Sequence, residues 1–298
     1  METRREVLAQ VFGAMSNKIN TNRGEAYYDK LLSLMSNRLD ELERTPAASK
    51  ASVEQALETQ GVTRRDFMKW ASAACAMLML PPSFTPTVAR AAELMNRVPV
   101  VWLELQDCAG NSEAILRSDA PTIDELILDV LSFEFNETVM AAAGHQAEEH
   151  LEETIKTFAG KYICIVEGSI PVGAGKEWCT IGAKGETFEE HLKHVAKDAA
   201  AIVAVGTCAT FGGVPAAAPN PTGAVGVQDV IKGKPIINIS ACPANPANIT
   251  GTILHFVLTG QIPELDHLNR PKFAFGYRIH DNCERRAHFD AGEFVEEW

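Results

Sequence analysis

Short apolar runs recur along the second two thirds of the chain, and stretches of helical spacing separate them. Val98–Leu105, Lys161–Glu167, Ala200–Gly206 and Pro235–Ser240 are continuous runs of strand length, and Ser132–Met140 alternates in strand fashion. Between them Ile123–Leu131, Gln146–Phe158, Thr187–Lys197 and Asn245–Leu258 place apolar residues on one helical face. Thr122 stands where it can cap the first of these helices, and Pro246 gives the last a proline-rich entry. Strands alternating with helices predict an α/β fold, a doubly wound parallel sheet of flavodoxin-like class. The alternation stops at Pro271, and there is no internal repeat.

The first third of the chain reads differently. Tyr27–Leu42 has the periodicity of an amphipathic helix, serving either as a docking segment for a partner or as a solvated extension. Thr63-Arg-Arg-Asp-Phe-Met-Lys69 is followed by a short apolar core to Leu80, by Pro81-Pro82, and by Ala89-Arg90-Ala91. A charged segment, an apolar core too short to span a bilayer and a small-residue cleavage site make a signal peptide. The paired arginines make it resemble a twin-arginine signal, which exports folded passengers. Cleavage is expected near Ala91 or Ala92. The predicted organisation is a helical extension over 1–62, a signal over 63–91, the α/β domain over 92–270, and an irregular segment over 271–298.

The 298 residues, 46% hydrophobic and 22% charged, have ordinary globular composition, and a net charge of −12 argues against a nucleic-acid partner bound through a basic face. Seven scattered cysteines do not suit a disulfide scaffold. Three of them, Cys108, Cys208 and Cys242, each lie just past a predicted strand. Parallel strands share a carboxyl edge where ligands bind, so these thiols are expected to converge there on a metal or iron–sulfur centre. Glycines beside Cys208 allow close backbone approach, and Pro243 stiffens the turn after Cys242. Cys164 lies within a strand and reads as core, Cys75 as part of the signal core, and Cys179 as packing or partner contact. His145, His150, His191, His194, His255 and His267 stand singly and read as core or surface residues. Glu104 and Glu113 are candidates for proton relay or partner contact, or are ordinary solvated carboxylates.

The sequences Leu105-Gln-Asp-Cys108-Ala-Gly-Asn111-Ser-Glu113, Glu167-Gly-Ser-Ile-Pro171, Gly206-Thr-Cys208-Ala-Thr-Phe-Gly-Gly213 and Ala241-Cys242-Pro243 occur in the order found in the small subunits of [NiFe]-hydrogenases. The chain resembles that family from Arg97 to Trp298. The resemblance implies a proximal [4Fe–4S] cluster held by Cys108, Cys208 and Cys242. The fourth thiolate position falls at Asn111, whose neutral amide oxygen binds iron far more weakly. The outcome is a weak fourth ligand, a three-iron cluster or no stable cluster. Gly110 and Gly213 occupy the places of the extra cysteines of oxygen-tolerant enzymes, so that special cluster is not expected. His280 and Cys283 match the first two ligands of a distal [4Fe–4S] cluster, so the resemblance makes 271–298 the beginning of a truncated C-terminal iron–sulfur domain. The remaining thiolates, and those of a medial [3Fe–4S] cluster, would come from a cysteine-rich region beyond Trp298, so the sequence reads as a fragment, or else as a shortened paralogue.

By resemblance the chain relays electrons from H2 oxidation on a large subunit toward a membrane cytochrome b and quinone, on the periplasmic side of the membrane after twin-arginine export. The alternative is an assembly paralogue that binds the large subunit without conducting. A flavodoxin-type mononucleotide binder is disfavoured, because the first loop carries Asp107 where phosphate would sit.

Overall fold

The structure is a computed structural model that describes residues 25–44, 64–77, 80–94, 97–119 and 121–297. Five strands form the central sheet: β1 (Val98–Glu104), β2 (Leu131–Asn136), β3 (Ile163–Glu167), β4 (Ala201–Val205) and β5 (Ile236–Ile239). The helices that matter here are α1 (Glu25–Arg44), α2 (Arg64–Met77), α3 (Thr85–Leu94), α4 (Gly110–Ile115), α5 (His145–Thr157), α6 (Phe188–Ala196), α7 (Gly206–Phe211) and α8 (Pro246–Thr259). The strand order is β2-β1-β3-β4-β5 and every pairing is parallel. This is the flavodoxin-like order, with its switch point between β1 and β3.

Successive strand residues point to opposite faces, and each face carries its own apolar layer. Val100, Trp102, Ile165, Val203 and Ile237 pack beneath Ile253, Leu254 and Val257 of α8. Val101, Leu103, Cys164, Val166 and Ile202 pack beneath Leu151 and Ile155 of α5 and Leu192 and Val195 of α6. All residues of β3, β4 and β5 are buried, which explains their unbroken apolar runs. Cys164 is wholly enclosed, and burial pushes its thiol up to about 12.

Local chemistry sets the boundaries. Thr187 caps α6 in a reciprocal box with Glu190, and Asn245 caps α8 through the N–H of Ala247. The helix expected over Ile123–Leu131 is only partly formed. One α-turn, Ile123–Glu125, widens to π spacing over Leu126–Val130, and Leu131 already pairs with Val98 in the sheet. The alternating run from Ser132 ends as a strand at Asn136, whose Oδ1 accepts the N–H groups of Thr138 and Val139 and turns the chain.

Helix α1 packs on its own chain. Tyr28, Leu31 and Met35 are buried in one cluster with Ala71, Ala74 and Cys75 of α2, Val88 of α3, and α8. Met35, at 1% exposure, excludes the reading of a solvated extension for this helix. The rest of 1–62 and the side chains of Arg64, Arg65 and Phe67 lie outside the described residues. Among the described residues no helix is long and apolar enough to cross a membrane. Among the described residues beyond Pro271 the elements are single short helical turns, Lys272–Phe275, Ile279–Asn282 and Arg286–Asp290.

Candidate metal centre at the carboxyl edge of the sheet

Each of the three cysteines follows the carboxyl end of a parallel strand. Cys108 lies in the loop between β1 and α4, Cys208 in α7 directly after β4, and Cys242 in the turn after β5. Their loops are tied together. The N–H of Thr207 donates to Ala241 O at 2.8 Å, and the N–H of Ala244 donates to Asn111 Oδ1 at 2.8 Å. A Cβ placed on Gly110 would lie 3.2 Å from Cys108 Sγ and 4.0 Å from Pro243 Cβ, so the first and last loops are in contact. Cys108 and Cys242 are exposed and Cys208 is half-buried, all as free thiols. Burial raises the Cys208 thiol, the N–H of Val214 opposes that shift, and charge on Cys242 or Cys108 reinforces it. Among the described residues these sulfurs form no group with ligand atoms all within 4.8 Å of one another.

Gly213 controls how closely the backbone approaches. Its φ is +58°, and a Cβ there would lie 2.6 Å from Cys208 Sγ and 2.8 Å from Cys208 Cα. Gly233 has a similar φ of +78° with nothing within 4 Å. Gly233→Ala should therefore cost only left-handed backbone strain, about 1–2 kcal/mol. Gly213→Ala should cost measurably more in urea denaturation, because it must also displace Cys208. Equal losses in the two variants would refute the contact.

The organising residue of this edge is Glu167, which the sequence presents only as part of a motif. It is 1% exposed and faces Glu104 in the strand register. Its carboxylate accepts from Trp102 Nε1 (3.3 Å), Asn111 N (2.7 Å), Asn111 Nδ2 (2.9 Å) and Ser112 N (2.9 Å), and the Ser112 hydroxyl, with one proton, lies between it (2.8 Å) and Glu104 Oε1 (2.6 Å). These bonds fix the first turn of α4, which follows Cys108. The available sequence signal was an acid closing an otherwise apolar strand, since a buried charge requires partners.

Asn111, at the expected fourth thiolate position, is 8% exposed, and its amide is engaged at both ends, with Glu167 and with the Ala244 N–H. His280 is exposed and lies 5.8 Å from the Phe289 ring, while Cys283 is half-buried. Neither belongs to a compact group of three ligand side chains among the described residues. Cys75 is buried and takes a contact from Thr85 Oγ1 at 3.8 Å. Cys179 is partly buried, and its carbonyl accepts the N–H of Phe188. His191 and His255 are buried, and His145, His150, His194 and His267 are exposed.

An acidic group borders the cysteines. Ligand oxygens of Glu104, Asp107 and Glu167 lie within 4.8 Å of one another, and Thr138 Oγ1 donates to Glu104 at 2.6 Å. Glu113 instead pairs with exposed Arg117. Glu137 accepts the Glu104 N–H at 3.0 Å, while its Oε1 is buried without a partner. Burial first, then the charges of Glu104 and Asp107, raise Glu137 from its ordinary 4.5 to about 8. The folded chain therefore holds this proton more tightly than the unfolded chain does. The stabilisation is complete below 4.5 and is lost as pH rises through about 8. Stability is expected to fall across that window, and Glu137→Gln should flatten the fall in denaturation midpoints taken against pH. An unchanged slope would refute the assignment.

Residues 108–256 match the family described as NADH ubiquinone oxidoreductase, 20 Kd subunit. The small chain of the quinone-reactive Ni/Fe-hydrogenase of Wolinella succinogenes is 54% identical over 242 residues, 81% of this chain and 68% of that one. The uptake hydrogenase small subunit of Azotobacter vinelandii is 47% identical, covering 81% of this chain and 67% of that one. The hydrogenase-2 small chain of Escherichia coli K12 is 42% identical, covering 81% and 64%. The chain thus spans about two thirds of the length of these relatives. The Ni-Fe-Se hydrogenase of Desulfomicrobium baculatum in a reduced, active form superposes with a TM-score of 0.64 at 37% identity, over 68% of this chain and 79% of that one. The recombinant [NiFeSe] hydrogenase of Desulfovibrio vulgaris Hildenborough gives 0.61 at 38% identity, over 66% and 76%. With the cysteine loops on one edge of the same sheet, the chain belongs to the small subunits of NiFe hydrogenases, oxidoreductase complexes in which the large partner subunit carries the catalysis.

Proposed function

We propose that this chain is the electron-relay subunit of a membrane-associated uptake hydrogenase, and that Cys108, Cys208 and Cys242 hold its proximal iron–sulfur cluster. The observation that carries this reading is the tying of three cysteine loops, far apart in sequence, to one edge of the sheet. When bound, the cluster supplies one-electron transfer at that edge. The residues of the chain bind it. Thiolates supply the ligands, and Glu167 holds the α4 turn in place. Phe211 and Val214, 38% and 81% exposed, flank Cys208 and offer an apolar surface for the large subunit, which would close the site to water.

The rest of the relay extends the same reading. His280 and Cys283 begin a distal [4Fe–4S] site whose exposed histidine faces an electron acceptor, with a medial [3Fe–4S] cluster between the two. The acceptor is a membrane cytochrome b passing electrons to quinone, a reading supported by the quinone-reactive relative. The paired Arg64 and Arg65 support export by the twin-arginine route to the periplasmic side.

Iron and sulfide analysis of the chain co-produced with its large subunit, with electron paramagnetic resonance of the reduced complex, tests this function. Stoichiometric iron and a reducible cluster signal are expected. A complex that assembles with neither would favour the second reading, a non-conducting assembly paralogue, for which the commitment of the Asn111 amide within the protein is the supporting observation.

A further inference from the structure

We infer that Asn111 is a clasp joining the cysteine loops and not an iron ligand, so that the cluster site offers three thiolates and leaves one iron corner to a small exogenous donor such as water, hydroxide or a thiol. This rests on the cluster reading above and identifies which residues hold the group and which only position them. A side-chain amide has one acceptor oxygen and two donor hydrogens. Here Oδ1 accepts the Ala244 N–H at 2.8 Å, and Nδ2 donates to Glu167 Oε1 at 2.9 Å. Ala244 follows Cys242 by two residues, and Asn111 follows Cys108 by three. The third loop closes on the same amide, since a Cβ on Gly206, two residues before Cys208, would lie 2.5 Å from Nδ2.

Turning Oδ1 toward iron would orphan the N–H of Ala244, a residue 1% exposed, and would withdraw one of the donors that hold the buried Glu167 carboxylate. Iron in a thiolate site gains little from a hard, neutral oxygen, so nothing offsets those losses. Glu167 is itself committed to Trp102, Asn111 and Ser112 through four N–H donors. The fourth corner is therefore held from outside the chain. Its iron should exchange with solution and leave on mild oxidation, while the irons held by the three cysteines remain.

The test uses the chain co-produced with its large subunit, as wild type and as Asn111→Ala, Asn111→Asp and Asn111→Cys. Three quantities are followed: iron retained under ferricyanide with EDTA, the resonance spectrum with and without added 2-mercaptoethanol, and the thermal midpoint of the same complexes stripped of iron. The wild type is expected to lose a single iron and to change its spectrum with the thiol. Asn111→Ala should lose that iron at the same rate and show a lower thermal midpoint. Asn111→Asp should hold it no tighter, because its carboxylate would face Glu167. Asn111→Cys should retain all its iron and ignore the thiol. The clasp is overturned if Asn111→Ala sheds the iron about tenfold faster, if Asn111→Asp tightens it, or if Asn111→Ala leaves the midpoint unmoved. Failure of the wild type to bind any iron would remove the open corner together with the cluster reading. The midpoints of the stripped complexes then judge the clasp independently.

Discussion

Glu167→Ala is expected to destabilise the chain by about 4 kcal/mol or more, the range seen when one partner of a buried charged network is removed. The substitution leaves Trp102 Nε1, two N–H groups of Asn111 and the backbone N–H of Ser112 without their acceptor, in a place water does not reach, while the Ser112 hydroxyl keeps Glu104. Domains of this size are stable by only about 5–15 kcal/mol in total, so the variant should sit near the threshold of folding. Glu167→Gln keeps the shape but turns an amide N–H₂ toward groups that are themselves donors, and should recover only part of the loss. Urea denaturation of the complex, with iron content alongside, measures both effects. A loss below about 1 kcal/mol for Glu167→Ala would mean these contacts are not energetically coupled to the fold.

Cys208→Ser should have the largest effect on the centre itself. The hydroxyl is a harder, less readily ionised donor than the thiol, and Cys208 is the half-buried member of the three cysteines. Iron retention under chelator should fall by more than about tenfold, since even residues that only support a metal ligand are worth ten- to a hundredfold. Two other cysteines give the comparison. Cys164→Ala empties a small volume in a fully buried strand, and Cys179→Ala alters a partly buried turn. Both should leave iron per folded chain unchanged, although Cys164→Ala should lower the denaturation midpoint. If Cys208→Ser and Cys164→Ala retained iron equally, the thiol at 208 would not be a ligand and the proposed relay would lose its first site.

The class of fold was legible because its signal is local. Runs such as Ile163–Glu167 and Ala201–Val205 are apolar on both faces, as only a sheet covered on both sides requires. The placement of Cys108, Cys208 and Cys242 followed with no coordinates, since every parallel strand ends at the same edge. The helix after Thr122 was misread because apolar spacing does not report where a helix must yield to a strand; pairing of Leu131 with Val98 decided that. The N-terminal helix could be seen as amphipathic, but its seat against α8 depends on residues more than two hundred positions away.

What the sequence alone determined is the alternation of elements and the edge on which the cysteines lie. Periodicity and chain order carry that information. Tertiary structure decided that Glu167 is a buried hub, that the Asn111 amide is spent on Glu167 and Ala244, and that Glu137 keeps its proton far above the usual carboxylate range. Those properties belong to donors, acceptors and charges brought together across the sheet edge. In a low-dielectric interior their energies are set by distance and solvent exclusion, neither of which is written in the order of residues along the chain.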